Sequence, residues 1–157
     1  MKQFTLHLVK EKSRPIVELK NWNNIYALLD TGAIYPIWTA DERILIRFGA
    51  TLKEKGVSFG GFGGKTSGNL YELKNIMIGG LIFSRLDIIA CNDLKNSPFQ
   101  MILSATMFTH LIYEVDAKNW KFNVDIPDEE SNIRSLQIRN KSGQLQVLCS
   151  SEFTVVE

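Results

Sequence analysis

An acidic residue stands directly after an apolar run early in the chain. Residues 25–29 have the composition of a buried β-strand, and the next four residues are Asp30, Thr31, Gly32 and Ala33. A carboxylate at the end of an apolar strand lies where burial and neighbouring charges can change its proton affinity. Carboxylates in such places often act as general acids or bases. We therefore take Asp30 as the candidate catalytic residue, and the three residues after it as its active-site loop.

A glycine-rich segment is the second feature that could serve chemistry. It consists of Gly60, Gly61, Phe62, Gly63 and Gly64. Glycine at this density permits positive φ angles, and the flanking segments 57–59 and 69–71 are compatible with strands. The pattern therefore predicts a hairpin with a glycine-rich tip.

Two other interpretations of the glycine segment stay open. It could be a purely structural turn, or residues 63–66 could be the end of a phosphate-binding P-loop. A P-loop requires a first glycine at position 59, where this chain has Phe59, and residues 67–69 are a poor helix start.

The charge balance narrows the choice of partners. The 157 residues include 18 basic and 17 acidic side chains, for a net charge of +1. A nucleic-acid-binding protein would show a clustered basic excess, so we expect no nucleic-acid partner. No segment approaches the roughly 18 consecutive apolar residues of a membrane span, so we expect no membrane partner.

The cysteines and histidines suggest no cofactor. Cys91 and Cys149 lack Cys-x-x-Cys spacing, and His7 and His110 lack the spacing of metal ligands. The apolar run at the N-terminus is too broken for a signal peptide. We therefore expect a cytoplasmic protein with reduced thiols, no metal and no cofactor.

The hydrophobic periodicity predicts a mostly β chain that positions these features. Thr39 is predicted as the N-cap of a short helix with Glu42 at the capping-box position, and residues 105–110 as a helical turn. The predicted strands are residues 4–9, 15–19, 25–29, 75–78, 81–90 and 101–103, with a hairpin of 111–115 and 120–126.

The pattern breaks at Pro127, where several acidic residues follow. The segments 136–139 and 144–148 could pair around a turn at 141–143. We therefore predict one domain over residues 1–126, followed by an acidic linker and a C-terminal β-hairpin-like extension over 127–157.

Three segments, in this order, resemble the retropepsin-like (retroviral-type) aspartic proteases, and most of all the small bacterial-type members. Residues 28–33 resemble the catalytic motif, and residues 60–64 resemble the tip of the flap that covers the substrate. Ile102, Leu103 and Ser104 resemble the element before the single helix of the family. The resemblance covers residues 1–126. It implies a closed β-barrel or sandwich with a flap hairpin and one or two short helices, forming half of a two-fold dimer.

The resemblance also implies an activity, namely hydrolysis of peptide bonds by water that a pair of aspartates activates. This chain has one such motif, so the pair would need a homodimer with one Asp30 per subunit acting on a polypeptide substrate. Thr31 would hold the two active-site loops together across the dimer axis. The alternative is a noncatalytic dimerisation or peptide-binding module on the same fold. The implied substrate pocket comprises Ile34, Tyr35, Ile37, Ile102 and Leu103.

The chain departs from the family pattern near the motif. Retroviral enzymes have an acid and a partnering arginine where this chain has Ile34 and Ala105, and a glycine where it has Ser104. Losing both charges together is physically coherent, because a lone buried charge is costly. Ala33 replaces a serine seen in many acid-active relatives. Without that hydroxyl the ionised pair loses a hydrogen bond, which predicts a pH optimum closer to neutral than that of gastric-type enzymes.

Overall fold

The computed structural model describes residues 2–10, 12–61 and 64–152, which are mostly β as predicted. The single α-helix of this part, α1, spans Glu42–Arg47, and 3-10 helices span Lys20–Trp22, Asn92–Leu94 and Ala105–Phe108. The strands are β1 (Lys2–His7), β2 (Ile16–Leu19), β3 (Ile25–Asp30), β4 (Ile37–Trp38), β5 (Thr51–Gly61), β6 (Gly64–Ile78), β7 (Leu81–Ala90), β8 (Met101–Ser104), β9 (Ile112–Asp116), β10 (Lys121–Ile126), β11 (Ile133–Lys141) and β12 (Gln144–Ser151).

The strands form two sheets. The small sheet has the order β1-β10-β9, and the hairpin predicted over residues 111–126 supplies two of its strands. The large sheet has the order β12-β11-β7-β4-β8-β3-β2, and β6 joins it by pairing with β7 and with β5. The parallel pair of β3 and β8 places Asp30 directly beside Ser104.

The hydrophobic core lies against the large sheet. Trp22 and Trp38 are fully buried, and the ring of Phe48 packs 4.9 Å from that of Trp22. These two tryptophans therefore pack in the core. Burying a large apolar side chain contributes about 1.5–3 kcal/mol. This aromatic cluster therefore stabilises the part of the large sheet that contains β3 and β4.

The helix prediction was right about the element and wrong about its cap. Asp41 is the N-cap, because its carboxylate accepts a hydrogen bond of 2.8 Å from the backbone N–H of Arg43. The Arg43 guanidinium also bonds this carboxylate and lowers the pKa of Asp41 to about 2. Thr39 is buried, and its hydroxyl donates to the carbonyl oxygen of Phe99 instead. Glu42 accepts hydrogen bonds from side chains of β6, so no capping box forms.

The glycine-rich segment lies in one long antiparallel hairpin, made of β5 and β6. Residues 75–78, predicted as a separate strand, are the end of β6. Gly68 lies where β6 meets β7, and a Cβ atom there would clash with the Ala90 carbonyl oxygen. Glycine is thus required partway along this hairpin, where Gly68 pairs with Val57. The tip residues Phe62 and Gly63 lie outside the described residues.

The C-terminal segment continues the large sheet. β11 pairs in parallel with β7 and antiparallel with β12. Leu136 and Ile138 of β11 are buried in the same core as β7. Arg134 is fully buried as well, and its guanidinium donates to the carbonyl oxygen of Met107 at 2.7 Å. These contacts attach the hairpin of β11 and β12 firmly to the sheet. In the part of the chain described, no helix has the length and apolarity of a membrane span.

Candidate active site

Asp30 is the last residue of β3, a strand held on both sides by β2 and β8. Its side chain is half-buried, and its Oδ1 accepts a hydrogen bond of 3.0 Å from the backbone N–H of Gly32. The Ala33 N–H donates to the Asp30 carbonyl oxygen at 3.1 Å, which closes a tight turn. A Cβ atom on Gly32 would lie 3.4 Å from Oδ1, at the limit of ordinary contact. The turn therefore holds the Asp30 carboxylate at the end of β3.

Hydrogen bonds from the end of β8 and from the 3-10 helix that follows it support this turn. The Thr106 hydroxyl donates to the carbonyl oxygen of Ile34 at 2.6 Å and lies 2.7 Å from the Ser104 hydroxyl. The Ala105 N–H donates to the Ala33 carbonyl oxygen at 3.2 Å. Ser104 is fully buried, and its hydroxyl is paired with that of Thr106. Sequence reasoning missed Thr106, although a second hydroxyl two residues after Ser104 was a visible signal.

Three cavities meet at Asp30. The flap-side cavity, of about 240 Å³, lies between the active-site loop and β5. It gathers Ile34, Tyr35 and Ile37 of the predicted pocket beside Gly60 of the predicted flap. Its lining also includes Asp30, Gly32, Ala33 and Phe59.

The other two predicted pocket residues lie at different cavities. Leu103 lines the β9-side cavity of about 360 Å³, together with Asp30, Thr31, Tyr113 and Val115. Ile102 lines the third cavity, of about 470 Å³, which extends from Asp30 towards Phe99. The five predicted residues thus surround Asp30 without sharing one pocket.

The hairpin arms place Gly60 and Gly61 at the end of β5 and Gly64 at the start of β6. Residues 64–78 are a strand, which excludes the phosphate-binding interpretation, because a P-loop leads into a helix. The antiparallel hairpin therefore lies beside one of the Asp30 cavities, the flap-side cavity, and its tip lies outside the described residues.

Among the described residues that line these three cavities, Asp30 is the single acidic one. Asp87 is fully buried elsewhere, where its carboxylate accepts hydrogen bonds from Arg85 and from the Ile138 N–H. Asp116 is bonded to Asn119 in the β9–β10 turn. Among the described residues, no three His, Cys, Asp or Glu side chains are grouped so as to hold a metal ion.

The comparisons with known proteins bear on the fold. No protein-family model matches the chain, and no curated protein matches it. Among solved structures, the chain is similar to a retropepsin-like aspartic protease from Rickettsia conorii, with a TM-score of 0.54 and 15% sequence identity. The match covers 78% of this chain and 89% of that chain. At this identity the likeness concerns the backbone architecture, and the chain has the retropepsin-like β fold that its motifs predicted.

Proposed function

We propose that this chain is an aspartic endopeptidase that works as a homodimer, with one Asp30 from each subunit. The observation that carries the proposal is the position of Asp30 at the end of β3. There its carboxylate is fixed by the Gly32 N–H and borders three cavities beside the β5–β6 hairpin. The retropepsin-like fold supports the same assignment.

The need for a second copy follows from the chemistry. Peptide hydrolysis by water requires one carboxylate to accept a proton from water and one carboxylic acid to protonate the peptide carbonyl oxygen. The described linings of the Asp30 cavities offer no second carboxyl group, and Asp87 is engaged deep in the sheet. A two-fold axis beside Asp30 would supply the missing group as a second Asp30.

The small sheet offers a surface for that contact. β9 is an edge strand, and its Val115 and Ile112 side chains are 42% and 57% exposed. Tyr113 and Val115 also line the β9-side cavity with Asp30 and Thr31. An apolar edge strand is prone to pair with another chain. We assign this face to the second copy because a contact here lies next to the active-site loop.

In the proposed mechanism the two carboxyl groups share one proton, because two close carboxylates do not both ionise easily. The ionised Asp30 accepts a proton from a water molecule as the water oxygen attacks the peptide carbonyl carbon. The protonated Asp30 of the other copy donates its proton to the carbonyl oxygen, which gives a neutral gem-diol. The first Asp30 then donates the proton it took from water to the leaving nitrogen, while the other Asp30 takes a proton from a gem-diol hydroxyl. The C–N bond breaks, a carboxylic acid and an amine are released, and the pair again shares one proton. The β5–β6 hairpin would cover the substrate and exclude bulk water.

The direct test is the variant Asp30→Asn. It should lower cleavage of a peptide library by at least ~10³-fold, since an amide cannot exchange the proton. The fold should persist, because an amide oxygen can still accept the Gly32 hydrogen bond. Glu129→Gln, at an exposed acid outside the cavities, is the matched control and should cleave like wild type. Cleavage at the wild-type rate by Asp30→Asn would contradict the assignment of Asp30 as the catalytic residue.

A noncatalytic peptide-binding or dimerisation module is the second candidate. The specific observation behind it is Ile34, which is 56% exposed where retroviral enzymes carry an acid. A statine-type transition-state mimic separates the two candidates, because an assembled catalytic pair binds such a mimic much more tightly than a substrate peptide. Equal affinity for mimic and peptide would favour the binding module.

A further inference from the structure

The flap-side cavity continues into a neighbouring cavity that the C-terminal hairpin closes. This distal cavity has a volume of about 350 Å³. It shares Tyr35, Phe59 and Gly60 with the flap-side cavity, so the two are adjacent along β5. Its far wall is the start of β12, with Gln144 and Leu145. A path therefore leads from Asp30, under the β5–β6 hairpin, to the C-terminal hairpin.

The Tyr35 side chain links β5 to the C-terminal hairpin. Its ring packs edge-on against Phe59 of β5, with the ring centres 5.9 Å apart. Its hydroxyl donates a hydrogen bond of 3.3 Å to the carbonyl oxygen of Leu145. The β5 arm and the C-terminal hairpin thus both contact the Tyr35 side chain, which lines both cavities.

The end of the C-terminal hairpin, which forms the far wall of the distal cavity, is held in place by hydrogen bonds. The Asn140 side-chain amide donates to the Glu54 carboxylate of β5 at 3.0 Å. The same side chain accepts from the Gly143 N–H at 3.1 Å, which fixes the β11–β12 turn. Ser142 and Gly143 adopt positive φ angles of 55° and 85° in that turn. The hairpin end is therefore an ordered boundary of the distal cavity.

The charge at the distal cavity selects the kind of side chain that fits. Lys65 of β6 lines it and is exposed, and within the described part of the chain it has no acidic partner. None of the described residues that line this cavity carries a carboxylate, while Gln144 offers an amide donor. An ammonium and an amide without an acid favour a ligand carboxylate. In an extended peptide, side chains on one face repeat every 6.4–6.8 Å, so neighbouring cavities can take successive ones.

We propose that the distal cavity is a substrate subsite, closed by the C-terminal hairpin, for an acidic side chain. The peptide lies extended along β5, with an apolar side chain in the flap-side cavity and an Asp or Glu side chain in the distal one. Lys65 forms an ion pair with that carboxylate, and Leu145 limits the length of the substrate side chain that fits in the distal cavity. The proposal rests on the proposed function for the identity of the ligand as a peptide substrate.

The experiment is a peptide-library cleavage profile of wild type, Lys65→Glu and Leu145→Ala. Wild type should prefer Asp or Glu at one position away from the cleaved bond by about fivefold over Gln. Lys65→Glu should reverse this preference towards Lys or Arg at that position alone. Leu145→Ala should admit larger side chains there. The matched controls are Lys74→Glu, an exposed lysine of the same strand, and Leu148→Ala, a 51% exposed leucine of β12.

Failure of this inference is separable from failure of the proposed function. Efficient cleavage with one profile in all five proteins would overturn the subsite and leave the endopeptidase intact. A second measurement uses fluorescent acidic and neutral peptides titrated onto Asp30→Asn, with and without Lys65→Glu. If wild type cleaves nothing, the proposed function fails, but this titration still tests whether the distal cavity binds an acidic side chain. Weaker binding of the acidic peptide after Lys65→Glu supports the subsite, and equal binding of both peptides overturns it.

Discussion

The buried carboxylate of Asp87 accepts a hydrogen bond of 2.8 Å from the backbone N–H of Ile138. It also accepts hydrogen bonds of 3.0 and 2.9 Å from the Arg85 guanidinium. One acidic side chain of β7 thus holds β11 in register and neutralises a neighbouring cation. This contact makes the C-terminal hairpin a part of the large sheet, in the position where it walls the distal cavity.

Replacing Asp87 should therefore destabilise the whole fold. Asp87→Asn keeps the size but leaves the Arg85 charge with Glu72 as its remaining acidic partner, at 3.2 Å. We expect the free energy of unfolding to fall by about 2–4 kcal/mol, because the amide replaces one acceptor oxygen by a donor and the buried, charge-assisted hydrogen bonds to Arg85 and the Ile138 N–H are weakened or lost. Urea denaturation followed by tryptophan fluorescence measures it. Glu129→Gln, exposed in the linker, should unfold like wild type. If Asp87→Asn unfolds at the same urea concentration as wild type, the Asp87 contacts contribute little to the free energy of unfolding.

Charge on β9 should separate the proposed dimer. In Val115→Asp, dimerisation would bury an unpaired carboxylate, so the dissociation constant should rise by at least ~10-fold. Cleavage should then depend on enzyme concentration and recover at high concentration. Sedimentation velocity and activity against concentration are the measurements. Ile46→Asp, at a 51% exposed position of α1, should dimerise like wild type. A wild-type dissociation constant for Val115→Asp would remove β9 from the interface.

The residue after the Asp-Thr-Gly motif should influence the pH profile. Ala33→Ser restores a hydroxyl that can hydrogen-bond the ionised catalytic pair, and this favours ionisation at lower pH. The acidic limb of the pH–rate profile should move to lower pH by up to about 1 unit. The wild-type optimum should lie closer to neutral than that of gastric-type enzymes. A wild-type profile that peaks below about pH 3 would contradict this expectation.

Tyr71 links α1 to the base of the β5–β6 hairpin and should report on alkaline stability. Its hydroxyl donates to the Glu42 carboxylate at 2.6 Å. Burial, and then this bond, raise the pKa of Tyr71 to about 12 from the ordinary value of 10.0. The neutral phenol is thus favoured in the folded state. Its contribution to stability is complete below pH 10 and is lost as the pH rises through about 12.

Tyr71→Phe should accordingly lower the free energy of unfolding by about 1 kcal/mol at pH 7. It should also remove the part of the stability loss that wild type shows between about pH 10 and pH 12. Thermal melts across this range measure both effects. Tyr26→Phe, at a 39% exposed tyrosine, is the matched control and should keep the wild-type dependence. The same pH dependence in Tyr71→Phe and wild type would assign the loss to other groups.

Local sequence patterns were enough to predict most of the fold. The alternation in β1, β9 and β10, and the apolar runs of β3 and β8, identify strands because the side-chain period follows from backbone geometry. The prediction failed at the cap of α1, where Thr39 and Asp41 are both good N-cap residues. Their roles were decided by the Phe99 carbonyl oxygen, which binds the Thr39 hydroxyl and lies 60 positions away in the chain.

By itself, the sequence determined the elements and the one acidic motif, because periodicity, turn residues and the Asp-Thr-Gly tripeptide are local properties. Only the tertiary structure decided which predicted pocket residues share a cavity. Ile34, Tyr35 and Ile37 lie together, whereas Ile102 and Leu103 alternate along β8 and line different cavities. The structure also placed the C-terminal hairpin beside the β5–β6 hairpin. Such relations depend on strand pairing and hydrogen bonds between residues 50 or more positions apart, which no local pattern records.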